Sequence, residues 1–485
     1  MIKLFLHNKM TQLIAGVLLS FILFLYLRYL SEFPLLAAAG IIIISTGILI
    51  IIKYIKFFWI KSSIRKILLS LLLSTAFLSG GITLAVLPGF SLFPYRLFLL
   101  ILTLVYLIQW LKRDILWWKD IKVKPIIAFF FLWFLYSLVS LSWSASLSEG
   151  VKDITYLVVG ISFTYYVVSI YNEKRNYVEF FFIWIIMTFA LIGLGFLNHF
   201  LEKHLPISRI NYAYSYQQDI PTAVFVNEND FASFLAIAIF FLVSLCHNHP
   251  YKILKFFGVI GILCSLLLIV LTESRANYIS VAIGFAFWYL FMINLKLRVK
   301  LTILGSLAVV PIILFFSNRI IPIVQSVAVQ VVSLFVPNEA SRSVDIRTNL
   351  LKNIIVYIED SFGFGVGSGN AEFYIENNQI YDTHGDYNVH NWWAEIFVNY
   401  GMFIFFLYVI MLVYLFVKLF RYNMRESDWQ LKMITEALLC GLIVFLFASI
   451  SPNSFMALTY NWIFVAFLIG VVQFYKKSRV KQEVT

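Results

Sequence analysis

Charge is what this sequence has least of. Of its 485 residues only 13% are Asp, Glu, Lys or Arg, while 61% are hydrophobic. A water-soluble domain carries about a quarter charged residues, so too few charges are present to cover a soluble surface of this size. Cysteine is nearly absent as well: Cys246, Cys264 and Cys440 all lie in apolar segments. That excludes a disulfide framework and a C-x-x-C metal motif. Also lacking are an internal repeat, a Pro-rich stretch and a charged tail. The first apolar run, about 11–30, is too long for a signal-peptide core and has no small-residue cleavage site, so it reads as a first span.

What the sequence does have is apolar runs of about 20 residues from end to end, each long enough to cross roughly 30 Å of hydrocarbon. Backbone groups in that solvent must bond to one another, so the runs are helices. Spans are expected at about 11–30, 34–58, 67–88, 94–111, 125–143, 153–170, 177–199, 230–247, 251–271, 276–295, 300–317, 395–417, 433–451 and 456–475. The expected fold is therefore all-α, a polytopic membrane bundle of about 12–14 spans.

The net charge of +12 would suggest nucleic acid in a soluble protein. Here it fits cytoplasmic loops facing anionic lipid, and no nucleic-acid partner is expected. With both termini in the cytoplasm and the spans alternating, roughly 27 of the 37 basic residues fall inside and no loop breaks the pattern. The expected location is thus the cytoplasmic membrane, crossed many times. Ten basic residues remain outside: Arg28, Arg96, Lys152, Lys203, Arg209, Arg275, Arg319, Arg342, Arg347 and Lys352. The insertion bias does not explain them.

Two outer loops, about 201–229 and 318–393, are too long for turns, and such loops are usually functional or disordered. The second carries an amphipathic helical spacing at Ile346, Leu350, Ile354 and Tyr357. The run Phe362 to Gly369, with glycine at 363, 365, 367 and 369, then breaks it. Without a preceding strand or a following Gly-Lys-Ser/Thr it is not a P-loop; it reads as a tight loop that lets other segments approach. Arg275, Arg342 and Arg347 offer guanidinium forks suited to phosphate, against a plain alternative of headgroup contact. His384 and His390 have five residues between them, an unusual spacing for zinc, and no metal is expected. His390 at a span boundary is a natural general base. Trp392 and Trp393 fit an interfacial aromatic belt.

Together these segments resemble the O-antigen ligase and polymerase family of envelope glycan assembly. The ligases carry His, then Asn, Ser or Gln, nine residues, then Gly-x-x-Gly-Thr-Thr. His390-Asn391, nine residues and Gly401 match that pattern, whereas Ile404 and Phe405-Phe406 depart from it. Arg347 ahead of Gly363-Phe-Gly-Val-Gly, the Ser274-Arg275 pair and Asn227-Glu-Asn229-Asp230-Phe-Ala232 complete the likeness, which covers about 226–401.

The resemblance implies a GT-C-type membrane glycosyltransferase with a long, partly helical extracytoplasmic loop. It divides the chain into N-terminal helices (1–200), a ligase/polymerase-like core (201–475) with the loop at about 318–393, and a cytoplasmic tail (476–485). The donor would be an undecaprenyl-pyrophosphate-linked glycan and the acceptor another glycan. No cofactor would be needed, and a flippase and a chain-length regulator are the partners to look for. Arg275 and Arg347, with Arg342 as rival for the second place, would hold the pyrophosphate while His390 activates the acceptor hydroxyl on the outer face. Asn391, Arg209, Lys352 and Trp392 are the expected substrate contacts. Polymerisation of repeat units is the leading reading. Ligation to another acceptor is second, and lipid-linked glycan transport third.

Overall fold

In the computed structural model the described residues are 63–87, 90–112, 120–307, 342–450, 452 and 456–482. The chain divides into Met1–Ile67 and Leu68–Thr485, and the architecture below is that of the second unit. The expected spans at about 11–30 and 34–58, and most of 300–317, lie outside the described residues. So do the side chain of Arg342 and those of residues 318–341.

Among the described residues seven helices are long and apolar enough to cross a membrane. In chain order the helices are α1 (Ile64–Ala76), α2 (Pro94–Leu111), α3 (Lys124–Ser140), α4 (Leu147–Ile170) and α5 (Lys174–Leu201). There follow α6 (Glu228–Asn248), α7 (Lys252–Leu271), α8 (Arg275–Phe287, continued by a π turn), α9 (Arg342–Asp360), α10 (Ala371–Asn377), α11 (Trp392–Arg425), α12 (Trp429–Ala448) and α13 (Thr459–Gln482). The protein is a polytopic helical membrane protein. Residues 67–88 depart from the expected span: α1 stops at Ala76 and a hairpin pairs β1 (Ala85–Leu87) with β2 (Phe90–Leu92). The break is physical. Ser79 has positive φ, and a Cβ on Gly81 would stand 2.7 Å from the carbonyl oxygen of Val224. Only glycine lets these two backbones approach so closely.

Helix α6 is the centre of the bundle. Of its apolar window 89% is buried, against 28% for the neighbouring α7. It packs on α7 and α12, with α5 and α8 completing its surroundings. A second centre is aromatic. Trp133 of α3 has ring centroids of Trp392, Tyr400, Tyr408 and Trp462 within 6.4 Å. Gly160 of α4 lies against the Trp462 indole, where any Cβ would come within 2.1 Å. Small residues at such contacts let helices meet closely where hydrophobicity alone gives no drive to associate.

Candidate functional site

The site is built at the end of the bundle where α6, α8 and α11 begin and α12 finishes. Asn227 caps α6, its side-chain oxygen accepting from the Asp230 N–H at 2.9 Å. Two residues on, Asn229 Oδ1 accepts from the Ser274 hydroxyl at 2.7 Å, and Ser274 Oγ in turn accepts from Asn277 Nδ2 at 2.9 Å. The Ser233 hydroxyl donates to the Ala448 carbonyl at 2.9 Å and meets Asn277 Oδ1 at 3.3 Å. These side chains lock the start of α8, and with it half-buried Arg275, to α6 and α12. One residue further, the Ser449 carbonyl accepts from the Trp392 N–H at 3.0 Å. The last turn of α12 thereby ties down both the arginine helix and the segment that presents His390.

Arg347 lies in the second turn of α9, whose Leu350, Ile354 and Tyr357 are buried as their spacing foretold. It is half-buried and close enough to Arg275 for the two charges to interact. Burial, then the Arg275 charge, lowers the affinity of Arg347 for its proton, and Asp386 opposes both. Arg209 joins this group: it grips Glu228 through Nε at 2.9 Å and a second, closer contact, and it also senses Asp386. Lys352 is exposed, its ammonium 5.3 Å from the Tyr381 ring centroid, and is not gathered here.

His390 has φ 48°, a left-handed conformation uncommon outside glycine, and Glu273, two residues before Arg275, has φ 55°. Such strain persists only where the surroundings enforce it, and it concentrates at functional sites. The His390 N–H donates to Asn388 Oδ1 at 3.0 Å, and Nε2 faces Asp386 Oδ2 at 3.3 Å. Burial pushes the Asp386 carboxyl up, but the hydrogen bond and charge of His390, the Asn388 N–H and the Arg347 charge together hold it below the usual carboxylate range. Nδ1 of His390 is buried and has no hydrogen-bond partner among the described residues. A buried nitrogen in that condition is unusual and asks for a ligand.

A family model described as O-antigen ligase matches residues 260–409, a stretch that includes Arg275, Arg347 and His390. Over 448 residues, 92% of each chain, the sequence is 33% identical to the teichuronic acid biosynthesis protein TuaE of Bacillus subtilis (strain 168). The chain belongs to the O-antigen ligase family. It is accordingly a membrane protein of a family of glycan-transferring enzymes in polysaccharide biosynthesis.

Within this O-antigen ligase fold the remaining expected contacts sort differently. Asn391 caps α11, its side-chain oxygen accepting from the Trp393 and Ala394 N–H groups at 3.0 and 3.3 Å. Trp392, expected as a substrate contact, lies inside the bundle. It is 1% exposed, its indole N–H donates to the Tyr408 hydroxyl, and it serves the aromatic core. Trp393 likewise donates to the Leu446 carbonyl. Among the described residues no three His, Cys, Asp or Glu side chains gather as metal ligands. Asp386, four positions before His390 in a stretch without helix, was weighed in the sequence only as a metal ligand and not as the partner of His390.

The glycine run closes on α11. Gly401 (φ 72°) splits that helix into two pieces, Trp392–Tyr400 and Met402–Arg425. The N–H groups of Val366 and Gly367 donate to the Val398 and Asn399 carbonyls, and the Met402 N–H donates to Gly363 O at 2.9 Å. The Gly365 N–H goes to Ser361 Oγ. These donors are therefore spent on chain contacts, not on a phosphate cradle. Ser368 and Tyr400 both donate to Asp153 of α4, fastening run, helix and α4 together. Gly365 has φ 83°, and a Cβ there would lie 2.7 Å from both Gly401 N and Val398 O. Gly365→Ala combines left-handed strain with a backbone clash, for an expected loss of at least ~2 kcal/mol. Thermal unfolding in detergent, compared with wild type, should show a clear drop; an unchanged midpoint would refute the close approach.

Proposed function

We propose that the protein polymerises undecaprenyl-pyrophosphate-linked oligosaccharide units into a cell-envelope polysaccharide, by inverting, metal-independent transfer on the outer face of the cytoplasmic membrane. One observation carries the reading: Arg347 senses both Arg275 and Asp386, the acidic residue that faces Nε2 of His390. In the transfer, the acceptor hydroxyl oxygen bonds to the anomeric carbon as the carbon–oxygen bond to pyrophosphate breaks. The bonding pair leaves on the phosphate oxygen, where the guanidinium groups meet the developing charge. The hydroxyl proton passes to Nδ1 of His390, the nitrogen that Asp386 leaves without a partner. Paired arginines supply the electrostatic help that a divalent cation gives in other phosphate-leaving reactions.

The outer face is supported by the alternation of basic loops expected from the sequence. Polymerase is preferred over ligase because the Gly-x-x-Gly-Thr-Thr half is replaced here by packing. Ile404 is buried, and Phe405 lies 5.2 Å from the Phe397 ring. The Bacillus relative named for teichuronic acid biosynthesis supports a polysaccharide product for either transfer. A transporter would be expected to place its ionisable groups in mid-membrane. This group instead collects at the end of the bundle.

The test is purified protein with an undecaprenyl-pyrophosphate-linked oligosaccharide and a metal chelator. Longer lipid-linked products are expected. Single units that cross the bilayer without lengthening would turn the case to a transporter, and transfer only onto a foreign acceptor would turn it to a ligase.

A further inference from the structure

The charged groups around His390 fall into two sets. Arg209 and Arg347 each sense Asp386, and Arg347 also senses Arg275; Glu372 senses Lys152 and Glu149 and, besides them, His390 and Asp386. Glu372 lies in the first turn of α10, and its carboxylate accepts from Asn388 Nδ2 at 2.6 Å. The same Asn388 side chain accepts the His390 N–H at 3.0 Å, so one residue bridges Glu372 and His390.

The start of α4 is brought alongside by Asn370, which accepts from the Ser146 N–H at 2.6 Å and donates to the Ser146 carbonyl at 3.2 Å. Gly369 permits the approach, since a Cβ there would stand 2.7 Å from the Glu149 carbonyl oxygen. On α4, Lys152 pairs with Glu149 at 3.1 Å. Two carboxylates against one ammonium leave this half negative. Burial raises the Glu372 carboxyl, with Glu149 and Asp386 adding to it and Lys152 and His390 opposing.

A pyrophosphate is repelled from such a surface, whereas sugar hydroxyls donate to carboxylates readily. We infer that Glu372 positions the acceptor by taking hydrogen bonds from the hydroxyls of its terminal sugar, and that this sugar is uncharged. The donor thereby meets the arginines and the acceptor the carboxylates, with Asn388 joining Glu372 to His390. A carboxylated terminal sugar would bring another anion against Glu372 and Glu149. The inference rests on the proposed transfer reaction and adds to it the class of the acceptor.

The experiment uses the full chain in lipid nanodiscs with one lipid-linked donor and two acceptors that differ only in a neutral or a carboxylated terminal sugar. Wild type should prefer the neutral end. Glu372→Gln should raise the KM for the neutral acceptor about 10- to 100-fold, the loss of a hydroxyl–carboxylate bond. The donor KM should stay within about twofold, because uniform donor binding is untouched. Glu372→Asp should recover part of the loss, and Glu149→Gln should shift the acceptor KM in the same direction. A folded Glu372→Gln protein with an unmoved acceptor KM, or one whose donor KM rises instead, would overturn the inference while leaving the polymerase reading intact. So would a wild type that prefers the carboxylated end. Transfer to neither acceptor by wild type would overturn the reading itself, and the inference with it.

Discussion

Arg347→Ala is expected to slow glycan transfer by about 10²–10³-fold while leaving the protein folded, the usual loss when a donor aimed at developing negative charge is removed. Arg347 is half-buried in α9, beside Arg275, at a point where two like charges are costly to hold together. Among the described residues Asp386 offsets that cost. Two positive groups arranged this way are stabilised by a dianionic ligand such as a pyrophosphate. Arg347→Lys should recover only part of the rate, because a single ammonium cannot form the planar two-point contact of a guanidinium. Arg275→Ala should resemble Arg347→Ala, and the double variant should fall short of the product of the two, since both would serve one leaving group. Transfer rates across a donor titration measure all four proteins. A rate within about threefold of wild type for Arg347→Ala would refute its place at the donor phosphates. The loss would then be sought at Arg342, the other arginine of the α9 start.

How much of this was legible in the sequence follows from what kind of interaction fixes each feature. Apolar runs read directly as spans because hydrocarbon permits little else. The run at 67–88 misleads because hydropathy weighs side chains, whereas the chain breaks for a backbone reason, the contact of Gly81 with Val224. The amphipathic face of α9 was visible as Leu350, Ile354 and Tyr357, since periodicity and burial are the same fact. Arg275, Arg347 and His390 were singled out by residue type and order. Their convergence was not visible, because it rests on bonds such as Ser233 to the Ala448 carbonyl, 215 positions apart. The burial of Trp392 was not legible either. At a span boundary, an indole in an aromatic belt and an indole in the core have the same sequence context. Glu372 had no signal at all: an acidic residue in a polar loop becomes notable only once Asn388 joins it to His390.

The His390–Asp386 pair yields the second large effect. His390→Ala should cost about 10²–10⁴-fold in transfer, the range of general-base assistance, with donor binding retained because the arginines remain. Asp386→Asn is the sharper variant. It keeps the shape of the side chain, but its amide can donate to Nε2 where the carboxylate accepts. That exchange moves the imidazole proton to Nδ1, the buried nitrogen that would receive the acceptor's proton, and a base in the wrong tautomer cannot act. Since Asp386 is held below the usual carboxylate range, it stays ionised throughout the neutral range. A change of pH near neutrality therefore does not mimic the substitution. If Asp386 works through His390, the double variant should be no slower than His390→Ala alone, because a group acting as a unit is lost only once. Multiplying losses would instead assign Asp386 a separate task, most simply that of holding Arg347 and Arg275 in place, and the proton-transfer role of the pair would have to be given up.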